Sequence, residues 1–508
     1  MELEFERDTL RYYDRLAEVT LCQEETLESI VPDACPDILR IVDVWGQAEL
    51  GSRQVRENYA TAAGTVRAVI LYQPDEGEGL RRMEVSLPFT CQAEAKGLTE
   101  RGIVQASPRL RSAEARALNP RKVLLRVDLA VDIRAFQPTE HFVCSGAIAD
   151  EERGICQRQI QQETDITVSV EEKNFTFTEQ IKIANGKGEL PQVMALRAQP
   201  VCSESKRIGN KLIFKGSIEL NLLLQESQGT LTSSHESLPF SQVMELPEDG
   251  EEGDCQLSVE LAQLHWEAVD LDDANIEITL ELLAQVQLHC RRSITLLQDL
   301  YSTVCQTQVD TQEQILWKLV EQSVRPQAVR ELLETDELVR NVVDSRLTLG
   351  KLDQTREGNQ LVFGAEAWIA VLYLDENQQV QSVRKMVPVI CRVDCPTQVQ
   401  CSCICVCPGE VFAAPGAGGI ELRFAVEFHC RMRLRKAVTC VEDAQLGAAR
   451  GGEEGRIPSV VLRLAAPGEG IWEIAKAYGT TQEQIMQANE LESDLLPAGK
   501  MLLIPRVR

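Results

Sequence analysis

Hydrophobic and polar positions alternate along three stretches of the chain. Val123, Leu125, Val127, Leu129, Val131 and Ile133 take every second place in the first. Ile276, Ile278, Leu280 and Leu282 do so in the second, and Ile420, Leu422, Phe424, Val426 and Phe428 in the third. Period-two alternation turns one side of a strand to a core and the other to water. Antiparallel sheets with one wetted face show this pattern. Upstream of each stretch stand a glycine-led apolar run and a proline triplet. These are Gly64 to Tyr72 with Leu87-Pro88-Phe89, Gly216 to Leu224 with Leu238-Pro239-Phe240, and Gly364 to Tyr373 with Val387-Pro388-Val389. The glycines recur after 152 and 148 residues (216−64, 364−216) and the prolines after 151 and 149 (239−88, 388−239). A period this long marks repeated whole domains rather than solenoid units. Each unit is therefore expected to be mainly β, a sandwich or open barrel. Helical signal is sparse, its best candidates being Leu10 to Ala17 and Gln312 to Ser323.

The end of the chain changes period. A short apolar strand from Val460 ends at Pro467-Gly468, and Ile471, Ile474, Ala475 and Tyr478 then recur at helical spacing. Gly479 stops that helix. Thr480 with Glu483 predicts a capping box for a second helix, whose apolar positions are Ile485, Met486 and Ala488. Met501 to Ile504, closed by Pro505, reads as a second strand. The expected order is strand–helix–helix–strand. Gly447 to Ser459 is rich in Gly, Ala and Glu and reads as a flexible linker that would let the tail reach a partner independently. The chain divides into 1–160, an N-terminal segment with the first β domain; 161–308, the second; 309–446, the third; 447–456, linker; and 457–508, the small tail domain.

Composition narrows the function classes. At 508 residues and 44% hydrophobic content the chain supports several packed cores. A net charge of −26 argues against nucleic acid and anionic lipid surfaces, which attract basic patches. No apolar run approaches the roughly 20 residues of a membrane span. The start, MELEFERDTLRYYDRL, lacks a signal-peptide apolar region, so a cytoplasmic location is expected. The 17 irregularly spread cysteines also suit a reducing compartment. The acidic run Glu248 to Asp254 reads as a solvated loop.

Six cysteines crowd Cys391, Cys395, Cys401, Cys403, Cys405 and Cys407. On one strand, alternate residues lie about 6.6 Å apart, so Cys401 to Cys407 spans roughly 20 Å. Two thiolates on one zinc sit within about 4.6 Å. The preferred reading is cysteine as a small core hydrophobe; a metal site and oxidative cross-linking are the alternatives. His289-Cys290 and His429-Cys430 read as ordinary strand positions. No nucleophile motif, phosphate loop or HExxH is present. Neither catalysis, metal nor cofactor is expected.

The tail resembles a LysM domain through Trp472-x-Ile474-Ala475-Lys476, Ala488-Asn489 and Pro497-x-Gly499-x-x-Leu502-x-Ile504-Pro505. Pro32-Asp33-Ala-Cys-Pro36-Asp37-Ile38, the glycine-led strand, the Leu-Pro-Phe triplet and the late alternating strand resemble the SPOCS domain. Repeated SPOCS-like units with a C-terminal LysM resemble SipL-like spore-coat morphogenetic proteins of endospore-forming bacteria. The resemblance implies a fold of three related β-sandwich or barrel-like units followed by a small α+β (βααβ) LysM domain. It implies a non-enzymatic adaptor in the mother-cell cytoplasm at the forespore surface, its LysM domain contacting a SpoIVA-like coat protein. It places the binding loops at Gly468, Glu469, Gly470 and Ile471 and at Asn489, Glu490 and Leu491. The alternative is a LysM protein of the cell envelope that binds peptidoglycan or another N-acetyl sugar polymer. Related domains usually carry Gly-Asp-Thr-Leu where this chain has Gly468-Glu469-Gly470-Ile471, and Tyr and Val where it has Arg463 and Ala465. A protein-binding LysM would tolerate these changes.

Overall fold

The computed structural model describes residues 3–148, 151–183, 191–247, 253–270, 275–450, 459–466, 468–491, 493, 496 and 499–505. The first unit runs β1 (Glu4–Ile30), β2 (Ile38–Arg56), β3 (Tyr59–Pro74), β4 (Arg81–Glu94), β5 (Ile103–Asn119) and β6 (Lys122–Ile148). It folds into two antiparallel sheets, β1-β6-β5 and β2-β3-β4. The second repeats this with β7 (Ile155–Lys182), β8 (Gln192–Ile208), β9 (Lys211–Gln225), β10 (Leu231–Glu245), β11 (Gly253–Asp270) and β12 (Asn275–Ser302), in the orders β7-β12-β11 and β8-β9-β10. The third has β13 (Cys305–Glu334), β14 (Val339–Glu357), β15 (Gln360–Asp375), β16 (Val380–Asp394) and β19 (Gly419–Ala449). Here β17 (Val399–Val406) and β18 (Phe412–Gly416) both pair with β19. The mainly β, multidomain expectation holds.

The alternating stretches form the middle strands β6, β12 and β19. Val123, Leu125, Val127, Leu129, Val131 and Ile133 are fully buried between the two sheets of their unit, as are their counterparts in the other units. The proline triplets lie on β4, β10 and β16, each an edge of its sheet. An edge strand tolerates the missing N–H that a central ladder would need.

Both expected helices are strands. Leu10 to Ala17 lies in β1 and pairs with β6, and Gln312 to Ser323 lies in β13 and pairs with β19. Backbone pairing with a long buried strand overrides the local preference. Gly447 to Ala449, expected as linker, close β19, while 451–458 fall outside the described residues. Of the acidic run, 248–252 fall outside them too, and Gly253 and Asp254 open β11.

The three units share cores. Trp45, Val69 and Leu71 of the first pack with Met194 and Leu223 of the second and Val343 and Leu372 of the third. At the far ends of the long strands, Cys144, Leu297 and Val441 meet in another shared cluster. Buried ion pairs cross the same junctions. Asp43 receives Arg346 and Arg384 at 2.8 Å each, Arg197 binds Asp344 through both nitrogens, and Arg431 meets Asp165 at 2.7 Å. Between the units lies a cavity of about 1100 Å³ lined by all three.

Candidate binding site

The C-terminal module is β20 (Val460–Leu464), α1 (Ile471–Tyr478), α2 (Gln482–Ala488) and β21 (Met501–Pro505), with β20 antiparallel to β21. Its order is the one expected. Its capping box is shifted by one residue: Thr481 caps α2 reciprocally with Gln484. Thr480 is fully buried, and its amide reaches back to the Ala475 carbonyl to close α1. Gly479 ends α1 at φ +65°.

Most of the side chains predicted for the binding loops serve the module itself. Gly468 is exposed and turns the chain at φ +79°. Glu469 accepts from Arg463 at 2.6 Å and from the Ala466 amide at 3.2 Å, so its charge is spent within the loop. The Arg463 guanidinium in turn lies 5.5 Å from the centre of the Tyr478 ring. Gly470 is the N-cap of α1 and offers no side chain. Ile471 is fully buried in the module core. In the second loop Asn489 donates to the carbonyls of Ile485 and Leu503 and accepts from the Leu503 amide. It thereby ties α2 to β21. Leu491 packs against the core, and Glu490 is exposed at φ +52°. Pro467 and Pro497 fall outside the described residues.

The module is seated on the body, which corrects the expectation that it reaches a partner independently. Asp299 accepts the Trp472 indole N–H at 2.8 Å and the Lys476 ammonium at 2.6 and 2.8 Å. The Tyr301 ring meets Trp472 edge-on, with centroids 4.9 Å apart, and its hydroxyl donates to the Thr480 carbonyl. Burial, reinforced by Cys156, pushes the Tyr301 phenol up, so it stays a neutral donor. Arg450 joins the Cys305 and Lys476 carbonyls. Tyr301 belongs to the same core as Ile471, Ile474 and Ile504.

What stays open is the outer face of the β20–β21 sheet. Leu462 is 66% exposed, Leu464 61%, Met501 64%, Val460 48% and Leu503 43%. Leu462 stands opposite Leu503, and Leu464 opposite Met501. A contiguous apolar patch of this kind, unlike a single exposed leucine, marks an interaction surface. Sequence reading missed it because VVLRL and MLLIP look like core strands. The alternation that separates buried Leu502 and Ile504 from exposed Met501 and Leu503 is one of burial, and four successive apolar residues carry no trace of it in the sequence.

The cysteine-rich segment lies in the third core. Cys391, Cys395 and Cys401 are buried, and Cys403 and Cys405 pack against that core along β17. Among the described residues no three His, Cys, Asp or Glu side chains converge as metal ligands. His289 is a buried strand residue held by Thr167, and His429 bonds Glu427.

A family model for the LysM domain matches residues 466–505, and one described as SipL, SPOCS domain matches 37–118 and 190–269. No curated protein and no solved structure matches the chain. The SPOCS matches cover β2 to β5 and β8 to β11, leaving out the long outer and middle strands of both units. The chain thus carries two SPOCS domains and a C-terminal LysM domain. Both are binding or adaptor types, and together they fit a sporulation-related protein of the envelope. No helix among the described residues is long and apolar enough to cross a membrane.

Proposed function

We propose that this chain is a non-enzymatic adaptor of spore-coat and envelope assembly in an endospore-forming bacterium. It acts in the mother-cell cytoplasm at the forespore surface. Its LysM domain binds a SpoIVA-like coat morphogenetic protein through the apolar face of β20–β21. The three β units, joined through shared cores, carry the module with this face uncovered. The observation that carries the reading is the contrast within the module. The loop that would grip an N-acetyl sugar has Glu469 engaged by Arg463 and no side chain at Gly470, whereas five apolar side chains stand exposed on the sheet. Apolar anchors suit a protein partner.

The test uses the full chain against a purified SpoIVA-type protein and, in parallel, soluble peptidoglycan fragments. Protein binding that Leu462→Asp with Met501→Asp abolishes, and Glu469→Ala leaves intact, supports the adaptor. Glycan binding without protein binding moves the chain to the alternative, a peptidoglycan-binding protein of the envelope.

A further inference from the structure

We infer that Cys403 and Cys430 form a redox modification site, closing a disulfide across β17 and β19 when a hydroperoxide reaches the central cavity. The two residues stand directly opposite each other in the antiparallel register, with their sulfurs 3.6 Å apart. Opposed residues of an antiparallel pair have Cα atoms about 4.5–5.5 Å apart, inside the span a disulfide bridges. Among the described residues no other two cysteines face each other in register.

The surroundings favour a reactive thiol over an inert core filler. The Cys430 thiol is directed at the Cys403 sulfur, the Cys401 and Cys403 thiols also reach the Ser402 and Ile404 carbonyls, and the Arg325 guanidinium acts on Cys430 from β13. Contacts with the Cys401 and Cys403 sulfurs, opposed by burial and helped by Arg325, hold Cys430 below the usual thiol range; the same contacts push Cys401 and Cys403 up. A lowered thiolate is the nucleophile in such oxidations. Ser323, opposite Cys430 on β13, keeps its buried hydroxyl without a hydrogen-bond partner. Cys430 is buried in the third core but borders the central cavity with Cys405 and Cys407, the side from which a small oxidant would approach.

The other units show that packing does not require sulfur here. Matching Val399-Gln400-Cys401-Ser402 to Val104-Gln105-Ala106-Ser107 and Cys255-Gln256-Leu257-Ser258 aligns Cys403 with Pro108 and Val259. Their cross-strand partners are Val131 and Ala284. Apolar pairs fill this position twice, and a dithiol fills it once.

The step balances. The Cys430 thiolate attacks the hydroperoxide, the O–O bond breaks, and Cys430 becomes a sulfenic acid as water or the corresponding alcohol leaves. The Cys403 sulfur then attacks the Cys430 sulfur, the S–O bond breaks and a second water leaves. Two thiols are oxidised and one hydroperoxide is reduced.

The experiment treats the folded full-length protein with hydrogen peroxide, denatures it in acid, alkylates free thiols and maps the peptides by mass spectrometry without reduction. The expected result is one intramolecular Cys403–Cys430 link, the loss of two hydrogens, and loss of alkylation at both positions together, reversed by dithiothreitol. Cys401→Ala should keep the link, and Cys403→Ala should leave Cys430 trapped as a sulfenic acid. Exposed Cys22 serves as the internal control. The proposal is overturned if Cys403 and Cys430 stay alkylatable at a dose that oxidises Cys22, or if the link joins other cysteines or two chains. The mapping on the unaltered protein decides the matter even where a variant fails to fold.

Discussion

Trp472 donates its indole N–H to Asp299 across 173 positions of sequence, and this contact seats the LysM domain on the second unit. Asp299 sits at an irregularity in the β7–β12 ladder, between Leu297 and Asp299. Such bulges re-aim side chains. The same carboxylate holds Lys476, so one residue anchors two turns of α1.

Asp299→Ala should release the module while leaving the body folded. Hydrogen bonds to a charged group contribute about 1.5–3 kcal/mol. Amide exchange in α1 should rise by the corresponding factor, while exchange in β6 and β12 should stay unchanged. Equal acceleration in the long strands would show that Asp299 supports the body rather than the seat.

The glycine of each repeat predicts a graded response. A Cβ on Gly64 would lie 2.6 Å from the Phe89 ring and 2.2 Å from the Glu49 carbonyl, and one on Gly216 would meet Phe240 and the Val201 carbonyl as closely. At Gly364 it would meet nothing within 4 Å, because the third unit pairs one residue out of step: Ala365 stands opposite Val389, where Gly64 and Gly216 face Phe89 and Phe240, and Gly364 faces Ile390. Gly64→Ala and Gly216→Ala should each cost at least the ~1–3 kcal/mol of overpacking. Gly364→Ala should change stability by less than about 0.5 kcal/mol. Denaturant midpoints of the three variants provide the check.

Buried and exposed pairs should separate sharply. Asp43→Ala leaves Arg346 and Arg384 in the junction of the first and third units without their carboxylate, which should cost about 3–5 kcal/mol. Glu140→Ala breaks an exposed pair with Arg11 and should cost about 0–1 kcal/mol. Thermal melts of the two variants suffice. A small effect at Asp43 would mean that the junction relaxes around the freed arginines.

Acid should act in two stages. Burial, helped by Arg431, Arg433 and Arg15, holds His289 well below its ordinary 6.5. The unfolded chain therefore binds this proton first, and stability declines as pH falls below that value. Burial would push Asp43 up, but Arg346 and Arg384 outweigh it and hold it below 3.8; Arg109 likewise outweighs burial at Asp132. Their stabilisation is full above 3.8 and is lost as pH falls through the lowered folded values. His289→Gln should flatten the first stage alone, and Asp43→Asn should reduce the second, leaving the share of Asp132, in melting temperature measured against pH.

The sequence by itself determined the repeat, the strand type of each unit and the order of the tail. These rest on local periodicity: a side chain on every second position of β6 must face one side, whatever surrounds it. Only the tertiary structure decided the rest. Leu10 to Ala17 and Gln312 to Ser323 are strands because β6 and β19 offer them backbone partners that no local pattern reveals. Glu469 and Asn489 became scaffold because Arg463 and Leu503 reach them through the fold. Leu462 and Met501 became surface because the module buries only one face of a two-stranded sheet. Cys403 found Cys430 rather than a neighbour on its own strand because antiparallel pairing brings together residues far apart in sequence, at distances that spacing along one strand cannot provide.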